Sequence, residues 1–219
     1  MTTLDVRPPR RTAPTRRAVK GQIRGDRTRQ LIIDETIRCV RDEGFAATSA
    51  SHIAERAGLT WGVIQYHFGD RNAVLMAVVD HGYELLRQAI DDLELPVGST
   101  RERVQAIVDA GWDAFSNPAS LAAFEILVAT RASREPWLEV HLADLADQLV
   151  RLGRALDPLG RGRRRQAIGN LFWAALRGLA LAQMVVREPL DFTHERRALV
   201  DLLTTHLESR GRGDISPRR

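Results

Sequence analysis

Side chains suited to hydrogen bonding with nucleic acid are concentrated in one short segment, residues 60–71. Gln65 carries an amide that can bond in a pair to N6 and N7 of adenine, and Val63 offers an apolar surface for the methyl group of thymine. Tyr66 and Arg71 carry donors of the kind that contact phosphate oxygens. Together these groups are typical of a DNA-binding surface, whereas each alone is also compatible with an ordinary surface position.

Sequence patterns for catalysis or metal binding do not occur in the chain. CxxC, HExxH, phosphate-loop and dinucleotide-binding patterns are absent. A di-iron site in a helical bundle needs Glu-x-x-His pairs, and no Glu lies three residues before any of the six histidines. We therefore predict no catalytic residue, no metal site and no cofactor. A protein that coats DNA without regard to sequence remains the second alternative, and competition between specific and unrelated duplexes would distinguish it.

Two short helices must position the segment that carries these groups. Thr48 or Ser49 can cap the first helix, which ends at a glycine, and Thr60 can cap the second. The second helix runs to about Phe68, and Ile64 and Phe68 lie one turn apart, so both are predicted to face inward. A preceding helix over about residues 28–43 braces the pair. This arrangement is a helix-turn-helix, whose second helix fits a major groove of double-stranded DNA.

The segment from about Thr28 to Val79 resembles the N-terminal DNA-binding domain of the TetR family of bacterial transcriptional regulators. The matching stretch is EGFAATSASHIAERAGLTWGVIQYHFGDRNAVLMAVV. The residues that carry the resemblance are Gly44, Ile53, Ala54, Ala57, Gly58, Gly62, Tyr66, His67 and Phe68. Three positions depart from the family pattern: Trp61 replaces a basic or polar residue, Gln65 an aromatic one and Arg71 a lysine. The departures preserve the binding mode but leave the operator sequence open.

The resemblance, together with the residue types, implies a role for each polar position of the helix-turn-helix. The positions predicted to face base edges are Trp61, Gly62, Val63 and Gln65. The positions predicted to face phosphates are Ser49, Ser51, Thr60, Tyr66, His67 and Arg71. The resemblance also implies a cytoplasmic homodimer that regulates transcription at a near-palindromic operator, by default as a repressor, and is released by a small-molecule effector.

Composition and periodicity predict an all-α fold with two domains. A hydrophobic content of 44% with 5% aromatic residues and many Ala, Leu and Arg favours helices. We predict the helix-turn-helix domain over residues 27–72 and a larger helical-bundle domain for ligand binding and dimerisation over residues 73–209. A long fourth helix ending near Pro96 links the two domains. A bundle seam is predicted at Leu138, Leu142, Leu145, Leu149, Leu152 and Leu156.

An apolar helix is predicted over about residues 163–186. Arg177 near its centre argues against a membrane span, because a central Arg costs roughly 2.5–3.5 kcal/mol on insertion scales. With the last helix it is predicted to build a twofold dimer interface; the alternative is that it forms the centre of its own bundle. The predicted interface residues are Ala175, Leu179, Ala182, Leu199, Leu202 and Leu203.

Aromatic residues of the C-terminal bundle indicate a cavity for a hydrophobic or amphipathic small molecule. Each aromatic residue alone is equally well explained as part of the core. The predicted lining residues are Trp112, Phe115, Phe124, Trp137, His141, Trp173 and Arg177.

The chain termini are predicted to be disordered. Residues 1–29 carry nine basic and two acidic side chains, although the net charge of the whole chain is +4. We assign residues 1–26 to a basic arm, which either attracts phosphates or merely increases solubility, and residues 210–219 to a tail. The single cysteine, Cys39, cannot form an internal disulfide and is predicted to be a small buried residue in a cytoplasmic protein.

Overall fold

The computed structural model describes residues 16–131, 147–148, 150–158, 162–186, 188 and 190–213. Every regular element within these ranges is a helix, which confirms the predicted all-α class. The helices are α1 (Arg16–Glu43), a 3₁₀ turn (Phe45–Ala47), α2 (Ala50–Arg56), α3 (Trp61–Phe68), α4 (Arg71–Asp91), α5 (Thr100–Ser116), α6 (Pro118–Ala129), α7 (described at residues 147–148 and 150–156), α8 (Gly162–Val185) and α9 (Thr193–Gly213).

Both terminal helices are longer than the sequence predicts. The first helix begins at Arg16, so residues 16–26 are helical and the prediction of a disordered arm up to residue 26 is wrong for them. Arg, Ala, Lys and Gln in this segment are good helix formers, no proline lies within residues 16–26, and the segment extends a helix already nucleated by its packed part. The last helix likewise runs to Gly213, past the predicted start of the tail. Residues 1–15 and 214–219 lie outside the described ranges.

The first three helices and the start of α4 enclose a small apolar core. Its buried members are Ile32, Ile53, Ala54, Ile64 and Val74. Ile64 is fully buried and Phe68 is half-buried against this core, so the predicted inward face of the third helix is confirmed. Glycines in the left-handed region end the three helices: Gly44 (φ 83°), Gly58 (φ 64°) and Gly69 (φ 88°).

A second core joins the helix-turn-helix to the rest of the chain through α1, α4 and α6. At Gly82 of α4, the backbone lies close to α6. A Cβ atom there would lie 2.8 Å from Cβ of Ala123 and 2.9 Å from the carbonyl oxygen of Ala119. Because neither atom can swing aside, this position requires glycine, and α4 and α6 are held together as a pair.

The third core lies among α5, α7, α8 and α9. Leu152 and Leu156 of the predicted leucine seam are buried in it, and the other four seam leucines lie outside the described residues. Leu199 and Leu203 of α9 pack against this core, so they belong at least in part to the bundle and not to an outer face. Leu202, by contrast, is 70% exposed.

One side of α8 faces this core and the other side is exposed. Phe172, Leu176 and Ala180 are buried, whereas Leu171 is 69% exposed. By length and composition, Arg165–Val185 could cross a membrane, and a third of its most apolar window is buried inside the molecule. A helix with a buried face and a central Arg177 also fits the packed core of a helical bundle, so this feature is weak evidence for a span.

Candidate nucleic-acid interface and internal cavity

One side of α3 is open to solvent and carries four of the ten predicted DNA-contacting residues. Gly62 and Gln65 are exposed, Tyr66 is 85% exposed and Val63 is half-buried. Thr60 is the N-cap residue, as predicted, but its side chain makes no capping hydrogen bond. The anchored side thus holds the helix in place. The opposite side presents the amide of Gln65 and the phenol of Tyr66, and Gly62 leaves the backbone there accessible.

Two of the predicted residues on α3 are partly covered by the protein itself. Trp61 is half-buried and packs against the helix-turn-helix core, so part of its ring is not available to bases. His67 is also half-buried, and its ring meets the Tyr66 ring edge-on at a centroid distance of 5.2 Å. The prediction that Trp61 faces outward neglected that a large ring in the first turn of so short a helix can fold back onto the core.

Arg71 differs most from its predicted role. Its Nη2 donates to Oγ1 of Thr48 at 2.8 Å, its Nε donates to the Thr48 carbonyl oxygen, and its guanidinium carbon lies 5.0 Å from the centroid of the Phe45 ring. Thr48 is fully buried and supplies two acceptors that need donors. In this structure the guanidinium therefore braces the turn before α2 and does not point outward to a phosphate.

The other predicted phosphate contacts, Ser49 and Ser51, lie at the start of α2 and are exposed. Ser49 is the N-cap residue and accepts a hydrogen bond from the backbone N–H of His52 at 3.3 Å. The two hydroxyl oxygens lie 3.4 Å apart. This placement puts two hydroxyl groups beside the N-terminus of a helix, where free N–H groups also favour anions.

Arg29 holds the end of α3, a role that the sequence did not reveal, because Arg29 was counted only among the charges of residues 1–29. Its Nη1 donates to the backbone carbonyl oxygen of His67 at 3.1 Å, and its guanidinium carbon lies 4.1 Å from the centroid of the Phe68 ring. The last carbonyl groups of a helix lack hydrogen-bond donors within the helix, and Arg29 supplies a donor to one of them. The sequence feature that could have indicated this role is the position of Arg29 one turn before Ile33, which lies on the packed side of α1.

A polar cluster joins α1 to α2 behind the exposed surface. Nε2 of His52 lies 2.8 Å from Oε2 of Glu43, and Arg56 pairs with the same carboxylate. The hydrogen bond with His52 and the pair with Arg56 hold the pKa of the Glu43 carboxyl below its usual value. Possible ligand atoms of Cys39, Glu43 and His52 lie within 4.8 Å of one another, a grouping that the sequence search for metal motifs did not find. Protein hydrogen bonds already occupy Glu43, and Cys39 is fully buried, as predicted.

A cavity of about 150 Å³ lies among α4, α5, α6 and α8. Four of the predicted residues line it: Phe115, Phe124, Trp173 and Arg177. Trp112 does not, because its ring packs against Phe192 at 5.4 Å and beneath Arg196. Trp137 and His141 lie outside the described residues. The lining residues that the prediction missed come mainly from α4 and α6 and are Val79, Gly82, Tyr83, Leu86, Ser120, Leu121, Ala123, Leu127, Ala180 and Leu181.

One hydrogen bond links the wall of this cavity to the helix-turn-helix. Ser120 and Phe124 of α6 line the cavity, and Glu125 on the same helix accepts a hydrogen bond at its Oε1 from the backbone N–H of Phe45 at 2.6 Å. Phe45 begins the 3₁₀ turn between α1 and α2. A shift of α6 would therefore pull on the turn that precedes α2 and change the position of α2.

We expect Glu125→Ala to lower the free energy of unfolding by about 1–3 kcal/mol, because it leaves the partly buried N–H of Phe45 without its charged acceptor. Urea unfolding followed by circular dichroism measures this change. Glu94→Ala, at an exposed position between α4 and α5, is the control and should change stability by less than about 0.5 kcal/mol. Equal stability of the two variants would contradict a structural role for this bond.

Comparisons with known proteins agree with the helix-turn-helix geometry. The family described as "Bacterial regulatory proteins, tetR family" matches residues 32–78. The HTH-type transcriptional regulator BetI of Escherichia coli strain K12 is 32% identical over 187 residues, which cover 82% of this chain and 93% of that protein. The corresponding protein of Shigella flexneri is 31% identical over the same length.

Solved structures share the fold across both parts of the chain. A tetR-family regulatory protein from Rhodococcus RHA1 superposes with a TM-score of 0.61 at 16% identity, covering 82% of this chain and 96% of the other. A structure from Pseudomonas aeruginosa PAO1 superposes with a TM-score of 0.61 at 24% identity, covering 86% and 92%. With the sequence match to BetI and the exposed third helix, these findings establish that the chain belongs to the tetR family of bacterial regulatory proteins and is a helix-turn-helix transcriptional regulator, not an enzyme.

Proposed function

We propose that this protein is a cytoplasmic, ligand-responsive repressor that binds a near-palindromic operator as a homodimer and is released by a hydrophobic or amphipathic small molecule. The observation that carries the proposal is the division of α3 into an anchored side and an open side. Ile64 is fully buried, while Gln65 and Tyr66 on the other side are exposed. A helix held in this way can enter a major groove without reorganising the domain.

Within the groove, we assign base reading to Gln65 and Val63, with Gly62 allowing close backbone approach. An exposed Gln amide pairs with adenine through two hydrogen bonds, and the half-buried Val63 leaves one face for a thymine methyl group. We assign phosphate contacts, which fix the register of the protein on the duplex, to Tyr66 and to the hydroxyls of Ser49 and Ser51.

We assign contacts at the rim of the groove to Thr60, to His67 and to the unpacked part of Trp61. Arg71 acts indirectly in this proposal, because its guanidinium orients the turn through Thr48.

A dimer would give two such helices their spacing, and α8 offers the surface for it. Leu171, Ala174, Gly178 and Val185 follow each other by three, four and seven residues and are all exposed. Ala175 and Ala182 of the predicted interface lie on the same side, and a Cβ atom added at Gly178 would meet no atom within 4 Å. Pairing this face about a twofold axis would cover it, and two recognition helices about 34–36 Å apart would reach successive major grooves.

Release would work through the cavity walls. A ligand among α4, α6 and α8 that favours a shifted position of α6 would act on the Glu125–Phe45 bond, while α4 leads directly to the end of α3. Ligand binding and operator binding then oppose each other. A coupling of roughly 1–3 kcal/mol would weaken operator binding about 5- to 150-fold.

The experiment that tests DNA recognition is selection of binding sites from a random duplex pool, followed by affinity measurements with Gln65→Ala. The wild-type protein should select a near-palindromic site and prefer it by about a thousandfold or more over unrelated DNA. Gln65→Ala should lose about 1–3 kcal/mol of discrimination at one base pair of each half-site and keep the preferences at the others.

Gln88→Ala, at an exposed position on α4, is the matched control and should keep the full preference. Equal competition by every duplex would instead favour the rival protein that coats DNA without regard to sequence. A uniform loss of affinity in Gln65→Ala would remove this residue from base reading.

A further inference from the structure

We propose that the cavity among α4, α5, α6 and α8 selects a small organic carboxylate with one ring-sized apolar group, and that Arg177 is the counter-ion of the carboxylate. This inference rests on the proposed function, which requires an effector at this site, and it specifies the chemical class of that effector.

The size and lining of the cavity define the apolar part of the ligand. The cavity measures about 150 Å³ and its walls include the rings of Phe115, Phe124 and Trp173. An apolar cavity of this volume accommodates a group about as large as benzene. A long acyl chain or a multi-ring compound would need the walls to move apart, whereas a single ring with a short polar arm fits the space as it stands.

Arg177 places a positive charge in this apolar wall. The residue is half-buried, and its guanidinium carbon lies 5.9 Å from the centroid of the Phe124 ring. Among the residues that the structure describes, no carboxylate pairs with it. A charge in an apolar environment is unfavourable unless it is paired, so the site gains most from a ligand that brings an anion.

Ser120 adds a second polar group to the wall of the cavity. It is 7% exposed, it lines the cavity, and its Oγ makes no hydrogen bond to any described group. Buried hydroxyls are normally hydrogen-bonded. The Ser120 oxygen is covered by its neighbours in this structure, and rotation about its Cα–Cβ bond would bring the hydroxyl to a ligand oxygen that supplies the acceptor. A cation would gain nothing from the hydroxyl proton and would be repelled by Arg177.

The geometry of the guanidinium favours a carboxylate over other anions. Its planar donors match the two oxygens of a carboxylate in a bidentate pair. A phosphate carries more charge and more acceptors than one guanidinium and one hydroxyl can satisfy within apolar walls. The fully satisfied ligand is therefore a flat, singly charged carboxylate next to a ring.

Isothermal titration calorimetry on the full chain without DNA tests this inference with three probes of nearly equal shape: phenylacetate, phenylacetamide and phenethylammonium. We expect phenylacetate to bind about 10- to 100-fold more tightly than the neutral amide, the range expected for hydrogen bonds to a charged group. Phenethylammonium should bind more weakly than the amide.

Variants assign the preference to the two residues. Arg177→Met keeps the length and apolar stem of the side chain and should make the carboxylate and the amide bind equally, whereas Arg177→Lys should keep part of the preference. Ser120→Ala should weaken phenylacetate binding several-fold. Arg163→Met, an exposed position on the same helix, is the control and should leave all three affinities unchanged.

The inference is overturned if wild-type protein binds the amide as tightly as the carboxylate, if it binds none of the three probes, or if Arg177→Met retains the preference. Because no DNA is present, these outcomes are independent of operator recognition. Specific DNA binding without a carboxylate preference would remove the ligand class alone, whereas a carboxylate preference in a protein without a specific DNA site would remove the proposed function.

Discussion

Replacing Ile64 with Ala is expected to lower the free energy of unfolding by about 2–5 kcal/mol and to abolish specific DNA binding. Ile64 has no exposed surface and packs among Ile32, Ile53 and Val74. Truncation removes buried apolar surface and leaves a cavity between α3 and the helices that brace it. An eight-residue helix is not stable without such packing, so the recognition surface would lose its fixed orientation.

Urea unfolding measures the stability change, and operator affinity is measured at a temperature where circular dichroism shows that the variant is still helical. Leu31→Ala is the matched control, because Leu31 is an aliphatic residue on the neighbouring helix that is 40% exposed. It should lower stability by less than about 1 kcal/mol and keep operator binding. A destabilised Ile64→Ala protein with full operator affinity would show that recognition does not depend on this anchor.

Ala174→Arg is expected to weaken dimerisation by about 100-fold or more and to reduce operator affinity with it. Ala174 is exposed on α8 and lies between Leu171 and Gly178, on the face that we propose to pair with a second copy. The new charge would remain in water in a single subunit, so the fold of the subunit should not change. In a dimer it would be buried near its own symmetry mate without a counter-ion.

Sedimentation equilibrium over a range of protein concentrations measures dimerisation, and thermal unfolding checks that the subunit is intact. Val97→Arg is the control. Val97 is fully exposed in the connection between α4 and α5, so this substitution adds the same charge away from α8. An Ala174→Arg protein that dimerises like this control would exclude the exposed face of α8 as the interface.

The helix-turn-helix was predictable from sequence because its signals are local. A hydroxyl at Ser49 caps α2, glycines end α2 and α3, and Ile64 and Phe68 are one turn apart on the packed side. Helix periodicity alone therefore determines which side of α3 remains open. The same kind of signal predicted that residues 73–209 form further helices, although local composition underestimated how far α1 and α9 extend.

The roles of the cations were not predictable, because each depends on acceptors far away in the chain. Arg71 was predicted to face a phosphate, yet it bonds to Thr48, 23 residues earlier. Arg29 was counted only among the charges of residues 1–29, yet it bonds to the carbonyl of His67, 38 residues later. Sequence patterns show that a cation is present but not which buried acceptors will lie within its reach.

The cavity shows the same division between local pattern and tertiary contact. Residue types and helical spacing identified Phe115, Phe124, Trp173 and Arg177 as candidates, and all four line it. Trp112 shares α5 with Phe115 but packs towards α9, because the docking of neighbouring helices fixes which side of α5 each ring occupies. The contributions of α4 and the Glu125–Phe45 bond, which spans 80 residues, likewise arise from packing.

The sequence by itself thus determined the helical class, the recognition helix and its open side, since these follow from the 3.6-residue repeat, caps and glycines within one or two turns. Tertiary structure alone decided which cations brace the fold, which aromatic rings enclose the cavity and which side of α8 stays uncovered. Those outcomes depend on pairs of groups distant in sequence, whose meeting is set by close packing of whole helices.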